Sequence, residues 1–387
     1  MDTVLAIIAF VAALVALLRA LIFADMKRLP GPILKKKKKK KKKEKATREP
    51  VEPLPSHRES EHYVEIYYAT DRQFDRHKNG SGAFLNERAQ TSELSFGRCW
   101  VTIPKHAHQL GRLESPSILK LQFTAKAHKH VVLERIDRIA SNDFYAAIRG
   151  QAAQSEQKEA FVFVHGYNVS FDAAAKRTAQ LAFDLAFKGA PILYSWPSRG
   201  RWYRYPSDED SVKWTVPHLR LFLEHLAGLD GISTIHVIAH SMGNRALTDA
   251  LQALMYTHQA APRFRHVVLT APDIDVDVFR GLATALKLAA NRVTVYTSRW
   301  DRALLLSYLF HGYKRTGSSV VVIPGIDTID ASTTDTSLLG LRHSYFGQSR
   351  SVLADLYALL TSDLPPPKRF GISEMTNDSG TYYVFRL

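Results

Sequence analysis

Six short apolar runs, separated by stretches long enough for a helix, constrain this chain more than any other feature. AFVFV (Ala160 to Val164), PILYSW (Pro191 to Trp196), TIHVIA (Thr234 to Ala239), HVVLT (His266 to Thr270), RVTVYT (Arg292 to Thr297) and SVVVI (Ser319 to Ile323) are rich in β-branched residues and apolar throughout. Strands of that kind are buried on both faces, and the stretches between them supply the covering helices. The pattern predicts an α/β fold with a mainly parallel central sheet.

Helix signals fall where this requires them. Ser170 caps FDAAAKRTAQLAFDLAFK, with Asp172 in the first turn and Gly189 just past the end. A second helix is expected from Ser211, with Val212, Val216, Leu219, Leu223 and Leu226 on one face and a bend at Pro217. A third follows Ser241, with Leu247, Leu251 and Leu254 turned inward. Upstream, YVEIYYAT (Tyr63 to Thr70), RCWVTI (Arg98 to Ile103) and SILKLQFTA (Ser117 to Ala125) read as three strands, antiparallel or at the sheet edge.

The amino-terminal stretch has a different character. Thr3 to Phe23 carries one charge, Arg19, in 21 residues, and as a helix it reaches about 30 Å, the thickness of a bilayer core. Met1 and Asp2 precede it without the positive charge of a secretion signal. An uncleaved single-pass anchor is therefore expected, with export behind a cleaved signal as the alternative. Lys27, Arg28 and the tract Lys35 to Lys43 follow, and positive flanks lie on the cytoplasmic side. The tract is a solvated linker able to approach anionic lipid.

The formal net charge of +15 suggests a polyanion partner only if it is spread over a folded face. It is not: 14 Lys and Arg against three Asp and Glu fall between Arg19 and Glu49. The rest is only mildly basic, so no specific nucleic-acid partner is expected. A single cysteine, Cys99, excludes an internal disulfide and a cysteine-rich metal site, and its place in FGRCWVTI reads as core.

The chemistry concentrates at IHVIAHSMGNRAL. Ala239-His240-Ser241-Met242-Gly243 sits between a strand and a helix, as in a nucleophile elbow whose first glycine is replaced by alanine. The strand ending in His165-Gly166-Tyr167-Asn168 supplies the loop where one oxyanion donor is expected, the Tyr167 N–H, with the Met242 N–H as the second. Asn168 reads equally as a turn residue and as a substrate contact.

A serine needs a base, and the base an orienting carboxylate, in the chain order Ser, acid, His. Asp301 in YTSRWD is the first choice of acid, Asp273 in APDID the second; Asp327 and Asp330 read as turn residues. His343 and His311 are the histidines after Asp301, and His343, before the final helix, is the expected base. His240 lies in the wrong order and reads as packing under the elbow. SWPSRGRWYRYPSDEDS reads either as a cap whose Trp196, Trp202 and Tyr203 line an acyl pocket or as a loop with inward-packed aromatics.

YATDR (Tyr68 to Arg72), VTIP (Val101 to Pro104), VHGYNVSF, SWPS (Ser195 to Ser198), AHSMGNR, APDID, YTSRWDRAL and HSYF follow one another from Tyr63 to Phe346. In this combination the chain resembles a bacterial alpha/beta-hydrolase family of unknown function, often grouped with esterases and lipases. The resemblance implies the alpha/beta-hydrolase fold, helices on both faces of the sheet, and the triad Ser241, Asp301 and His343. The anchor and the lysine tract lie outside the resemblance, and the whole reading divides the chain into an anchor (1–24), a linker (25–60), a hydrolase domain (61–364) and a C-terminal tail (365–387). The expected activity is cleavage of a carboxylic ester or related acyl bond, without metal or organic cofactor. A catalytically idle, membrane-tethered scaffold and a polyanion-binding membrane protein are the competing classes.

Overall fold

The computed structural model describes residues 60–76, 82–111, 113–114, 126–199, 205–257, 263–334 and 350–386. The expected anchor, the lysine tract, the SILKLQFTA strand, Trp202, Tyr203 and His343 lie outside the described residues. Among those described, no helix is long and apolar enough to cross a membrane. The described residues of 60–199 and 206–386 belong to one compact unit, which holds the whole sheet.

In chain order the strands are β1 (Glu61–Thr70), β2 (Arg72–Asp75), β3 (Ala83–Arg88), β4 (Ser95–Pro104), β5 (Val132–Ile139), β6 (Glu159–Val164), β7 (Ala190–Ser195), β8 (Thr234–His240), β9 (Phe264–Thr270), β10 (Ala290–Thr297), β11 (Asp327–Asp330), β12 (Ile372–Asn377) and β13 (Gly380–Phe385). The helices are α1 (Ser141–Ala152), α2 (Phe171–Asp184), α3 (Tyr205–Ala227), α4 (Gly243–Thr257), α5 (Val276–Ala289), α6 (Arg302–His311) and α7 (Arg350–Ser362).

Eleven strands form one sheet in the order β12-β13-β11-β10-β9-β8-β6-β7-β1-β4-β5. From β13 to β1 every neighbour is parallel, and antiparallel pairs close both ends, β12 on β13 and β1-β4-β5. The expected parallel sheet is present; of the early strands, YVEIYYAT and RCWVTI lie at an antiparallel edge as β1 and β4, and the outermost strand there, β5, was not expected. Cys99 faces Ile66 across the β1–β4 pair and is fully buried.

The helices cover the sheet through the residues that the periodicity selects. Leu247, Leu251 and Leu254 of α4 are fully buried, and cutting any of them back to alanine should cost about 2–5 kcal/mol. Ser170 caps α2 as expected, its Oγ accepting from the Ala173 N–H. The helix stops at Asp184, earlier than expected: Ala186, at φ 45°, makes the left-handed turn assigned to Gly189. A Cβ on Gly189 would instead overlap the Glu159 carbonyl oxygen, so that glycine serves a close approach to β6. The second helix begins at Tyr205 and continues through Pro217.

Two expectations at the carboxyl end are corrected. SVVVI is not a strand: Val321 is buried, and its carbonyl accepts from Thr328 Oγ1 at 2.7 Å. The chain reverses at Gly325, where φ is 83°, and the following segment, β11, takes the place beside β10. Residues 365–387 do not form a tail outside the domain. Their alternating TYYVF becomes β13, pairing Ile329 with Tyr383 and Asp330 with Val384, and β12 covers its other edge.

Candidate active site

Ser241 follows β8 directly, with φ at 54°, a conformation that costs a non-glycine residue energy unless its surroundings impose it. They do. Its N–H donates to the Thr270 carbonyl at 3.0 Å, and its carbonyl accepts from the Asn244 side chain at 2.9 Å and the Asn244 N–H at 3.1 Å. The small residues are required by contact: a Cβ on Gly243 would collide with the His165 carbonyl oxygen. Ala239, in place of the usual first glycine, is fully buried and fits, its carbonyl accepting from Thr270 Oγ1.

The loop after β6 presses against this turn. A Cβ on Gly166 would lie 2.8 Å from Ser241 Cβ and 2.9 Å from His240 Nδ1, which puts the His240 ring beside the loop. Asn168 takes φ 59°, which asparagine tolerates better than most residues, and its backbone N–H donates to Asp208.

What holds this loop is a buried polar cluster, which sequence reasoning passed over. Arg72, 1% exposed, donates through Nε to Ser195 Oγ at 2.8 Å, through Nη2 to the Val169 carbonyl at 2.8 Å, and through Nη1 to Asn86 Oδ1 at 2.9 Å. Burial pulls its pKa down to about 9, still above neutral pH. Its Nη2 also lies 3.2 Å from His165 Nε2. A guanidinium only donates, so with Arg72 donating to it His165 Nε2 accepts and Nδ1–H donates to the Gly166 carbonyl at 2.8 Å, and the Trp196 carbonyl, 3.1 Å from Nε2, receives no proton from this ring. Burial, with Arg72 beside it, holds the His165 pKa far below the ordinary histidine value, so the ring is neutral. Asp208, fully buried, accepts from Ser198 Oγ at 2.6 Å and the Arg199 N–H at 2.8 Å, and burial raises its pKa. Arg72 and Ser198 belong to YATDR and SWPS, motifs visible in the sequence but given no role from it.

Trp196 belongs to the same brace. It is fully buried, its indole N–H donates to the His165 carbonyl at 2.7 Å, and its ring stacks on His165 at 5.1 Å. Of the two readings of the aromatic segment, this residue follows the inward-packed one and does not line an acyl pocket.

Ser195, His165 and Asp71 come near one another without making a relay. Ser195 Oγ is 3.2 Å from His165 Nε2, but His165 Nδ1 faces a backbone carbonyl, and Asp71 is paired with His218 at 3.0 Å. A base needs a carboxylate on its far nitrogen to stabilise its charged form, and His165 has none there.

Asp301 stands after β10, at the same edge of the sheet as Ser241. One strand, β9, separates β8 from β10, a lateral distance of about 10 Å. Asp301 is 1% exposed, and its Oδ1 caps α6 by accepting from the Ala303 and Leu304 N–H groups, each at 3.0 Å. Asp273 is occupied differently. Ser307 Oγ donates to it at 2.7 Å, Arg245 Nη2 lies at 3.2 Å and Arg315 Nε at 3.5 Å, while Arg245 Nε also meets its backbone carbonyl. Asp327 pairs with Arg292 at 2.9 Å, and Asp330 with Arg299 at 3.1 Å. His311 closes α6, with Nδ1 on the Ser307 carbonyl at 2.8 Å and Nε2 on Glu209 at 2.7 Å.

The elbow, the loop after β6 and Asp301 thus all stand at the carboxyl ends of parallel strands, where an open α/β sheet keeps its chemistry. Lipase B of Aspergillus fumigatus is similar at 11% identity over 67% of this chain and 64% of that one, with a TM-score of 0.36. Phospholipase PlaB of Legionella pneumophila is similar at 13% identity over 59% and 68%, with a TM-score of 0.30. At these scores neither likeness bears on chemistry or substrate. The uncharacterized protein alr1448 of Nostoc sp. is 26% identical over 217 residues, 49% of this chain and 51% of that protein. The chain therefore spans about half the length of the curated relative it matches. Residues 141–362 match the family described as alpha/beta hydrolase of unknown function (DUF900). That stretch is more than half of the chain and contains Gly166, Ser241 and Asp301, and the protein belongs to this family of alpha/beta hydrolases.

Proposed function

We propose that the protein is a serine hydrolase that cleaves a carboxylic ester or related acyl bond through an acyl-enzyme. The observation carrying this reading is the left-handed Ser241, held by Thr270 and Asn244 and pressed against Gly166. A strained serine between strand and helix persists because its hydroxyl must stand clear of its own backbone.

In this reading His343, oriented by Asp301, takes the Ser241 proton as Oγ attacks the acyl carbon. The N–H groups of Tyr167 and Met242 hold the developing oxyanion. His343 returns the proton to the leaving alkoxide and then activates water, which releases the acid from Ser241. Asn168 and Trp202 are the remaining candidates for substrate contact. The cycle calls on no metal or organic cofactor.

The same proposal gives the chain an anchor at Thr3 to Phe23, a Lys35 to Lys43 tether near anionic lipid, and a cytoplasmic hydrolase domain. Reporter fusions at the two termini test the sidedness. For the chemistry, a fluorophosphonate probe on the full chain should attach to the Ser241 peptide, as read by mass spectrometry, and Ser241→Ala should abolish it. An unlabelled folded wild type, or labelling that survives Ser241→Ala, overturns the hydrolase reading and favours the idle scaffold.

A further inference from the structure

A cavity of about 780 Å³ opens between the β3–β4 loop, the start of α1 and α3. Ser95 lines it and pairs with Thr70 at the end of β1, so it lies at the same sheet edge as Ser241. Four strand steps separate β4 from β8, about 19 Å, which takes it away from the elbow.

One group there is built in a way that packing alone does not require. His218 borders the cavity yet is only 9% exposed, and its Nδ1 lies 3.0 Å from Oδ2 of Asp71, itself 1% exposed. The same oxygen accepts from Thr215 Oγ1 at 2.5 Å and Tyr194 OH at 3.4 Å. A carboxylate only accepts, so Nδ1 carries the proton toward Asp71, and Nε2 is the nitrogen left for an occupant. No hydrogen bond engages His218 Nε2 among the described residues. Trp214, set edge-on to the ring at 4.6 Å, further fixes its orientation.

The rest of the lining narrows what an occupant can be. Arg138 and Glu93 oppose one another in charge, so neither an anion nor a cation is favoured. Thr91, Ser95 and Ser141 offer hydroxyls that both donate and accept, and the half-buried Phe96, with His225 stacked on Tyr145 at 4.2 Å, supplies aromatic surface. We propose that this cavity binds a neutral polyhydroxylated ligand, a sugar ring, with its C–H face on the aromatic surface and one hydroxyl, able to donate or accept, hydrogen-bonded to His218 Nε2. Such a site takes no part in the acyl chemistry proposed for Ser241 and stands or falls separately from it.

Saturation-transfer NMR on the full chain, with the methyl glycosides of glucose, galactose and N-acetylglucosamine, tests this directly, with inorganic phosphate as the charged comparison. At least one glycoside should receive saturation at its ring protons. His218→Leu should weaken its binding about tenfold, the worth of one hydrogen bond. Ser141→Ala, at an exposed position, should weaken it as well and keeps the test open if His218→Leu does not fold. Absence of transfer from folded wild type, binding unchanged in whichever variants fold, or His218-dependent binding of phosphate in place of the glycosides, overturns the proposal.

Discussion

Gly166 and Ser241 touch so closely that one methyl group added to the glycine would sit 2.8 Å from the serine Cβ. Carbon atoms do not approach that closely, so Gly166→Ala must push the loop away from the elbow. The backbone donors proposed for the oxyanion move with it. Loss of one such donor costs about 10²- to 10³-fold in rate, and overpacking adds about 1–3 kcal/mol of destabilisation. Fluorophosphonate labelling of Gly166→Ala should therefore slow by at least about 10²-fold while a melting curve still shows a folded chain. A labelling rate within a few fold of wild type would mean that the loop carries no donor.

The brace behind that loop makes a second, separable claim. Arg72 reaches Ser195, Asn86, Val169 and His165 through its planar fork, and lysine cannot reproduce that geometry. Removing it strands several buried polar partners. Arg72→Met should destabilise by about 3 kcal/mol or more, with Arg72→Lys recovering little of it. Urea unfolding of the three chains checks this, and full recovery by lysine would show that only the charge matters.

Much of this architecture was legible from the residues. Five of the six apolar runs became parallel strands because an unbroken β-branched stretch has few other ways to bury both faces. SVVVI failed because periodicity does not report tertiary competition: the reversal at Gly325 lets β11 occupy the place beside β10. The C-terminal strands escaped notice because the run from Thr381 to Phe385 is short and flanked by polar residues, and β13 is only partly buried at the sheet's end. The elbow could be read because tight turns impose small residues locally. The role of Arg72 could not, because its partner Ser195 lies 123 residues away along the chain.

Acid should weaken the fold through two stacked histidines of β8 and β9. His236 and His266 lie parallel at 5.0 Å, 0% and 1% exposed, and none of their ring nitrogens finds a hydrogen-bond partner among the described residues. The nearest carboxylates, Glu159 and Asp363, each stand 3.6 Å from an Nε2, beyond hydrogen-bond reach. Burial lowers both pKa values, that of His266 to about 2 with His236 and nearby arginines contributing. The unfolded chain therefore binds protons first, and stability present above the unfolded value of 6.5 is lost as pH falls toward the folded one. At about pH 5.5 His266 should have cost about 1.4 kcal/mol relative to about pH 7.5, and His236 acts in the same direction. His108 acts oppositely, raised to about 9 by Asp184 and Glu114 against the opposing effect of its own burial, but its contribution is already complete below 6.5. Urea unfolding between about pH 6.5 and 5 reads the slope, to which the buried His165 adds in the same direction, so the share of the pair is the difference between wild type and a variant of it. His266→Phe should flatten the slope, and an unchanged slope would exclude the stack as its source.

The choice between two aspartates can be made by a substitution that treats their structural roles unequally. Asp301 caps α6 through Oδ1, and asparagine caps a helix about as well as aspartate. Asp301→Asn should keep stability to within about 0.5 kcal/mol. It removes the charge that the imidazolium of a working triad requires, so the rate should fall by about 10³- to 10⁴-fold. Asp273→Asn leaves Arg245 and Arg315 facing a neutral amide, and its cost should appear as about 2–3 kcal/mol of stability. Labelling per folded molecule should change by less than about tenfold, short of what a triad member costs. Ester turnover and urea unfolding on the same two variants read both axes at once. If Asp273→Asn abolishes turnover while Asp301→Asn leaves it intact, the carboxylate of the triad stands after β9 rather than β10.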